Sequence, residues 1–190
     1  MRMFIEVVLE PSALDEVWSV GHGLQADPNV PGHSVRWVKR EAIHLTLRFL
    51  GEVREEQLPD IGRSLDALAG SGAFEISMTE VGSFGGRRPR VVWVGVARDQ
   101  GYDRLQQLRR HLDQAMAEAG FSSEPEAFRP HLTLGRVRRQ ATRLDLAAIR
   151  TAVETAPAPD IRSVVKRVAL VHSILLKDGP QYRRLALAEL

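Results

Sequence analysis

The tetrapeptide His-Leu-Thr-Leu occurs twice in this 190-residue chain, at His44–Leu47 and again at His131–Leu134. Each copy pairs an imidazole with a hydroxyl two residues on. An imidazole titrates near pH 6.5 and so takes or gives a proton close to neutrality. A hydroxyl can donate a hydrogen bond to a phosphoryl oxygen. Both copies lie in an apolar/polar alternation, the mark of a half-buried strand whose residues i and i+2 leave from one face. His44 and Thr46 therefore share a face, with Ile43, Leu45, Leu47 and Phe49 expected on the other. His131 and Thr133 share a face backed by Leu132 and Leu134. Two such strands facing each other would set two imidazoles and two hydroxyls in one cleft, the equipment for acid–base chemistry on a phosphate. In the same alternation Arg48 falls on the face of His44 and Thr46, which makes it the first candidate to meet the phosphate charge.

The elements that must carry these residues follow from periodicity and punctuation. A first strand is expected near residues 2–9 and a helix near 12–24 with Leu14, Val17 and Trp18 on its apolar side. A short strand Val35–Val38 precedes the first motif strand, Ile43–Leu50, and a helix follows over about Glu55–Ala69. Phe74–Val81 and Val91–Ala97 read as paired strands around the Gly- and Arg-rich segment Gly82–Arg90. The stripe Leu105, Leu108, Leu112 and Met116, closed by Gly120, predicts a helix over Tyr102–Ala119. The second motif strand and a helix over Leu144–Thr155 come next. Strands near Ile161–Leu176, with a bulge or break, and Tyr182–Ala188 close the chain, joined by a turn at Lys177-Asp178-Gly179-Pro180. The order of elements around each motif suggests a duplication. The expected fold is α+β: two pseudo-symmetric lobes, each a mostly antiparallel sheet with helices outside, the cleft between them, residues 1–190 forming one bilobal domain.

Composition narrows the functional classes. The chain is 44% hydrophobic and 26% charged, ordinary for a soluble globular protein. No apolar run is long enough to span a bilayer, and the acidic, strand-like N-terminus does not read as a signal peptide. There are no cysteines, so disulfides, thiolate ligands and a cysteine nucleophile are excluded; a cytoplasmic location and a monomeric state are the default expectations. Of the 26 basic residues only Lys39, Lys166 and Lys177 are lysines. Arginine suits phosphate through its planar fork. Much of the excess has the look of codon bias, but Arg87, Arg88 and Arg90, and Arg136, Arg138, Arg139 and Arg143, cluster near the motifs and would form a basic rim. No carboxylate or third histidine lies at ligand spacing beside either motif, so no metal site is expected. His22, His33, His111 and His172 have no comparable context.

Five ordered segments resemble the 2H phosphoesterases, named for two His-x-Thr/Ser motifs. They are Met1–Ile5; Val35–Val38 continuing to His44–Val53; Phe84-Gly85 with Pro89–Val96; Phe128–Arg136; and Ser173 with Gly179–Tyr182. Within that superfamily the chain is similar to the RNA 2′,3′-cyclic phosphodiesterases, also described as 2′–5′ RNA ligases, whose fold is LigT-like. The resemblance implies RNA ends or nucleotides bearing a 2′,3′-cyclic phosphate as substrates, 2′-phosphates as products, and no metal or nucleotide cofactor. It implies His44, Thr46, His131 and Thr133 as catalytic residues, with His131 the expected base and His44 the expected acid, an assignment that the near symmetry of the motifs does not enforce. Run in reverse, the same pair would join a 5′-hydroxyl to a cyclic phosphate without ATP. Phe84 is expected either to stack on a base or to plug the lobe interface. Arg129 and Arg136 are candidate phosphate contacts that need a bulge or loop to reach the site, and Ser173 approaches from the terminal hairpin. Two rival functions stay open: a non-catalytic RNA-end binding module, and a 2H enzyme cleaving 2′–5′-linked oligonucleotides. Binding alone would not require two titrating groups.

Overall fold

The computed structural model describes residues 1–122, 124, 127–176 and 179–190. Among them the chain runs β1 (Arg2–Val8), α1 (Pro11–Ala26), β2 (Val35–Trp37), β3 (Leu45–Glu52), α2 (Leu58–Asp66), β4 (Phe74–Phe84), β5 (Val91–Val96) and α3 (Gln100–Glu118). It continues through β6 (His131–Val137), α4 (Arg143–Thr155), β7 (Ile161–Val165), β8 (Arg167–Leu176) and β9 (Gly179–Glu189). Local chemistry sets the helix ends. Asp99 accepts the Tyr102 amide at 3.1 Å to start α3, and Gly120, at φ +82°, lets the chain turn out of it. Thr142 and Asp145 cap α4 reciprocally, at 3.2 and 2.9 Å. Pro59 sits in the first turn of α2, where a missing N–H costs nothing.

The strands form one antiparallel sheet in the order β7-β4-β5-β6-β3-β1-β8-β9, with β2 added to β6. The join between β6 and β3 is the narrowest: Leu45 opposite Leu132 is its one paired position. That seam divides the sheet into two lobes, β3-β1-β8-β9 and β7-β4-β5-β6. The strand expected over 161–176 breaks at Lys166, and the break has a topological meaning. β7 edges one lobe while β8 pairs with β1 in the other. A single residue cannot span a flat sheet, so the sheet curls until β7 returns beside β1. There the Glu10 amide donates to Ser163 Oγ at 3.0 Å, and the Val164 amide donates to the Glu10 carboxylate at 3.2 Å.

The helices cover the face onto which Leu45, Leu47, Leu132 and Leu134 point, all of them buried. Val17 and Leu24 of α1 and Leu105, Leu108, Leu112 and Met116 of α3 join them in one continuous core. The other face is concave and carries its own small apolar cluster of Phe4, Ala169 and Val171, edged by Val8 and Tyr182. The turn expected at Lys177–Pro180 falls differently: Lys177 and Asp178 lie outside the described residues, and Gly179 and Pro180 open β9.

Candidate active site

The seam fixes the relation between the two motifs. With Leu45 opposite Leu132 in antiparallel register, His44 falls opposite Thr133 and Thr46 opposite His131. Each imidazole thus faces the other motif's hydroxyl, and the two imidazoles stand on the diagonal, where such neighbours lie about 7–8 Å apart with their Cβ atoms somewhat closer. His44 precedes β3 by one residue, held by the single 3₁₀ turn Arg40–Ala42. Both rings are oriented alike. His44 Nδ1 lies 2.8 Å from the Ala42 carbonyl and His131 Nδ1 lies 2.7 Å from the Arg129 carbonyl. A carbonyl only accepts, so Nδ1 carries the hydrogen in each ring. Nε2 is left as the working atom, a base when the ring is neutral and an acid when it is protonated.

Aromatic side chains hold the rings. Phe4 and Tyr182 flank His44 at centroid distances of 4.7 and 4.9 Å, Tyr182 meeting it edge-on. Phe84 meets His131 edge-on at 4.8 Å and rests against Trp93 at 5.2 Å. Trp93 can lie flat because Gly82 and Gly95 have no side chains; a Cβ at Gly82 would stand 2.3 Å from its ring. Burial pushes the pKa of both histidines below the ordinary value. The backbone bonds oppose that shift, while the Arg136 charge reinforces it for both rings and His131 adds to it for His44. Burial likewise raises the Tyr182 phenol.

Two bulges decide which basic residues reach the cleft. In β3, Glu6 pairs with Thr46 and Ile5 with Arg48, so Leu47 is the extra residue. The bulge inverts the alternation beyond it. Arg48, expected in the cleft, instead lies across from the core residue Ile5 and is 1% exposed. It donates to Asp113 of α3 and, at 2.8 Å, to the Ser122 carbonyl. Phe49, expected in the core, is 55% exposed and turns to the cleft side, across from Phe4. In β6 the same break falls at Leu134: Trp93 pairs with Thr133 and Val92 with Gly135. Here it acts the opposite way, bringing Arg136 onto the face of His131 and Thr133. Leu47 and Leu134 are equivalent positions whose carbonyls are taken up differently. The Val38 amide donates to Leu134 at 2.8 Å. Arg109 donates to Leu47 at 2.7 Å, and is itself held by Asp113 and Glu124 at 2.7 and 2.6 Å.

Two hollows flank the seam. One, of about 400 Å³, is lined by Thr46, His131, Phe49, Phe84, Phe128 and Arg129 among others. The other, of about 120 Å³, is lined by His44, Thr133, Tyr182, Arg36, Lys39 and Arg136 among others. The four motif residues, Phe84, Arg129 and Arg136 are therefore brought together, and Arg48 is not. Ser173 pairs with Tyr182 and shares its face, but it lines neither hollow. Sequence reasoning missed Phe4, Tyr182, Phe49, Arg36 and Lys39 as site residues. Phe4, Arg36, Phe49 and Tyr182 fall inside the segments that carry the resemblance, which mark the stretch but not the role; Lys39 falls outside them. Among the described residues no cluster of three or more His, Asp or Glu side chains has metal-holding geometry, and no helix is long and apolar enough to cross a membrane.

Comparison with known proteins bears on this geometry. The RNA 2′,3′-cyclic phosphodiesterase of Aeropyrum pernix is 35% identical over 156 residues, 81% of this chain and 85% of the relative. That of Archaeoglobus fulgidus is 33% identical over 190 residues and covers 100% of both. The protein TT0787 of Thermus thermophilus superposes with a TM-score of 0.78 at 26% identity, over 100% of this chain and 98% of that one. Escherichia coli LigT complexed with 3′-AMP gives 0.76 at 25% identity, over 100% and 97%. The family model of the 2′-5′ RNA ligase superfamily matches residues 15–174, a span that holds both motifs and the seam between them. With the pairing of two His-x-Thr strands across one curled sheet, these likenesses make the chain a member of the 2′-5′ RNA ligase superfamily.

Proposed function

We propose that this chain is an RNA 2′,3′-cyclic phosphodiesterase that opens cyclic phosphate ends to 2′-phosphates by two-histidine acid–base catalysis, without a metal ion, residues 1–190 acting as one bilobal, monomeric unit in the cytoplasm. The observation that carries the reading is the matched pair of imidazoles. Each is locked through Nδ1 to the carbonyl two residues back, and each faces the other motif's threonine across the seam.

In the forward reaction a water attacks phosphorus in line with O3′. The neutral imidazole takes the water's proton at Nε2, the P–O3′ bond breaks, and the protonated imidazole gives its Nε2 proton to O3′. The product is a 2′-phosphate with a free 3′-hydroxyl, and exchange with solvent resets the two rings. Thr46, Thr133 and Arg136 donate to the phosphoryl oxygens as charge develops on them. Phe49, Phe84 and Phe128 offer ring faces to the terminal base, with Arg129 at their edge. Burial and the Arg136 charge push both imidazoles toward the neutral form. We keep the assignment expected from the sequence, His131 as base and His44 as acid. By microscopic reversibility the same pair can join a 5′-hydroxyl to a cyclic phosphate, giving a 2′–5′ linkage.

The test is turnover of adenosine 2′,3′-cyclic phosphate in excess EDTA. Adenosine 2′-phosphate as sole product, lost by about 10²–10⁴-fold in each of His44→Ala and His131→Ala, supports the proposal. A 3′-phosphate product, dependence on added metal, or RNA affinity without turnover would overturn it. Release of nucleotides from a 2′–5′-linked oligoadenylate in preference to the cyclic nucleotide would redirect it to the related cleavage.

A further inference from the structure

The edge strand β9 does not follow a regular ladder. It pairs Ala186 with Leu170 but Arg184 with Val171, so Leu185 is the extra residue of a bulge. The slip decides which side chains of β9 enter the concave face. With it, Arg184 and Tyr182 leave from the face of Val171, and Tyr182 meets His44. Without it, Leu185 would stand opposite Val171 and Tyr182 opposite Ile174, and the Tyr182 ring would turn away from His44. Apolar pattern alone favours that other register. Leu185 is 39% exposed as it stands, and the shift would set it against the small cluster of Phe4, Ala169 and Val171. One group opposes the shift. Glu6 of β1 lies on this face, opposite Ala169 on one side and Thr46 on the other, and is 5% exposed. Arg184 reaches across β8 and donates to its carboxylate at 2.7 Å. Burial holds that carboxyl above its ordinary value, and the Arg184 guanidinium offsets part of the rise. In the unslipped register Arg184 would leave the face and Glu6 would be buried without a partner, a strongly unfavourable change.

The second lobe fills the matching place without a charge. There Trp93 stands opposite Thr133 as Glu6 stands opposite Thr46, and opposite Gly82 as Glu6 stands opposite Ala169. A buried ion pair adds little stability over an apolar filling; what it adds is a preference for one register. We infer that Glu6 and Arg184 are positioning residues whose pairing fixes the bulged register of β9 and so delivers Tyr182 to His44. The register follows from the pairing geometry; its consequence for turnover rests on the proposed reaction. Phe4 and Tyr182 hold the His44 ring between them. A ring free to tilt presents Nε2 off line, which lowers kcat and leaves KM alone.

The ring contact can be read directly, as a nuclear Overhauser effect between Tyr182 and His44 on the whole protein, beside kcat and KM for adenosine 2′,3′-cyclic phosphate. The wild type should show that contact, with Val171 opposite Arg184 in the cross-strand backbone effects. Glu6→Leu should lose the contact, bring Leu185 opposite Val171, and lower kcat by up to about 10²-fold with KM unchanged. Arg184→Met, at a half-exposed position, should do the same, and it carries the test if Glu6→Leu does not fold. Arg184→Lys keeps a cation within reach of Glu6 and should stay near the wild type. Because the pair acts through Tyr182, Glu6→Leu combined with Tyr182→Leu should be no slower than Tyr182→Leu alone. A ring contact that survives in Glu6→Leu or in Arg184→Met would overturn the inference. So would losses that multiply in the double variant, or an Arg184→Lys protein as slow as Arg184→Met. A KM raised by Arg184→Met alone would overturn it too, by placing the guanidinium on the substrate. Failure of the proposed reaction would read differently: even the wild type does not turn over, while the ring contact still decides the register.

Discussion

Replacing Arg48 with methionine separates a core role from a substrate role. The side chain is 1% exposed and gives one arm to Asp113 and another to the Ser122 carbonyl. Methionine fills part of the same volume but leaves the carbonyl without its donor and Asp113 with one cation fewer. Breaking a buried pair from one side costs about 3–5 kcal/mol. Asp113 keeps Arg109 at 2.7 Å and its side chain is 31% exposed, so the cost belongs at the low end, about 3 kcal/mol. In a chain of this size 1 kcal/mol moves Tm by about 2–4 °C, and Arg48→Met should therefore lower Tm by about 6–12 °C. KM for adenosine 2′,3′-cyclic phosphate, measured well below that Tm, should stay at the wild-type value. Arg136→Gln should do the converse. Tm should hold, because the residue is exposed, while kcat/KM falls by about 10- to 150-fold, the size of one charge-assisted hydrogen bond. Calorimetry and chromatographic product assays on the two variants give the four numbers. An Arg48→Met protein with unchanged Tm and a raised KM would refute the bulge argument, since only an Arg48 facing the cleft could behave so.

Burial and the Arg136 charge hold both histidines low, so kcat/KM, which reports the free enzyme, should peak on the acid side of pH 6.5; a maximum above pH 7.5 would contradict those surroundings. The same depression makes stability pH-dependent. The unfolded chain takes up protons near pH 6.5 before the folded chain does, so Tm should fall as pH drops below about 6.5 and flatten once the folded values are passed. In His44→Asn that fall should be shallower, and an unchanged slope would show the ring to be solvated. A cyclic phosphate carrying sulfur at the 3′ position expels a thiolate that needs no proton. His44→Ala should regain activity on it and His131→Ala should not; rescue of His131→Ala instead would reverse the assignment of acid and base.

Much of this was legible in the sequence where a residue type determines its own surroundings. Alternation around His44 and His131 marked the two strands, the Leu105–Met116 stripe marked α3, and the order of elements around each motif suggested two lobes. The bulges were not legible. Leu47 and Leu134 look like ordinary strand leucines, and nothing in their type says that the register slips there. That slip exchanges Arg48 and Phe49 between core and cleft, and in the second motif it brings Arg136 in. The two aromatic supports of His44 were not readable for a different reason. Phe4 and Tyr182 are brought to His44 from the two ends of the chain, Phe4 through pairing of β1 with β3 and Tyr182 through pairing of β1 with β8 and of β8 with β9. Local pattern carries no record of such long-range pairing. Lys166 shows both cases at once: a break in the strand was readable, but its consequence, the crossing from one lobe to the other, exists only in the curled sheet.

A crystal structure with adenosine 2′-phosphate bound tests the central claim most directly. The account predicts one phosphate at the seam, its oxygens within hydrogen-bond reach of Nε2 on both His44 and His131 and of the Thr46 and Thr133 hydroxyls, with Arg136 alongside. A phosphate held by one imidazole alone, or seated away from the Leu45–Leu132 pair, would contradict it.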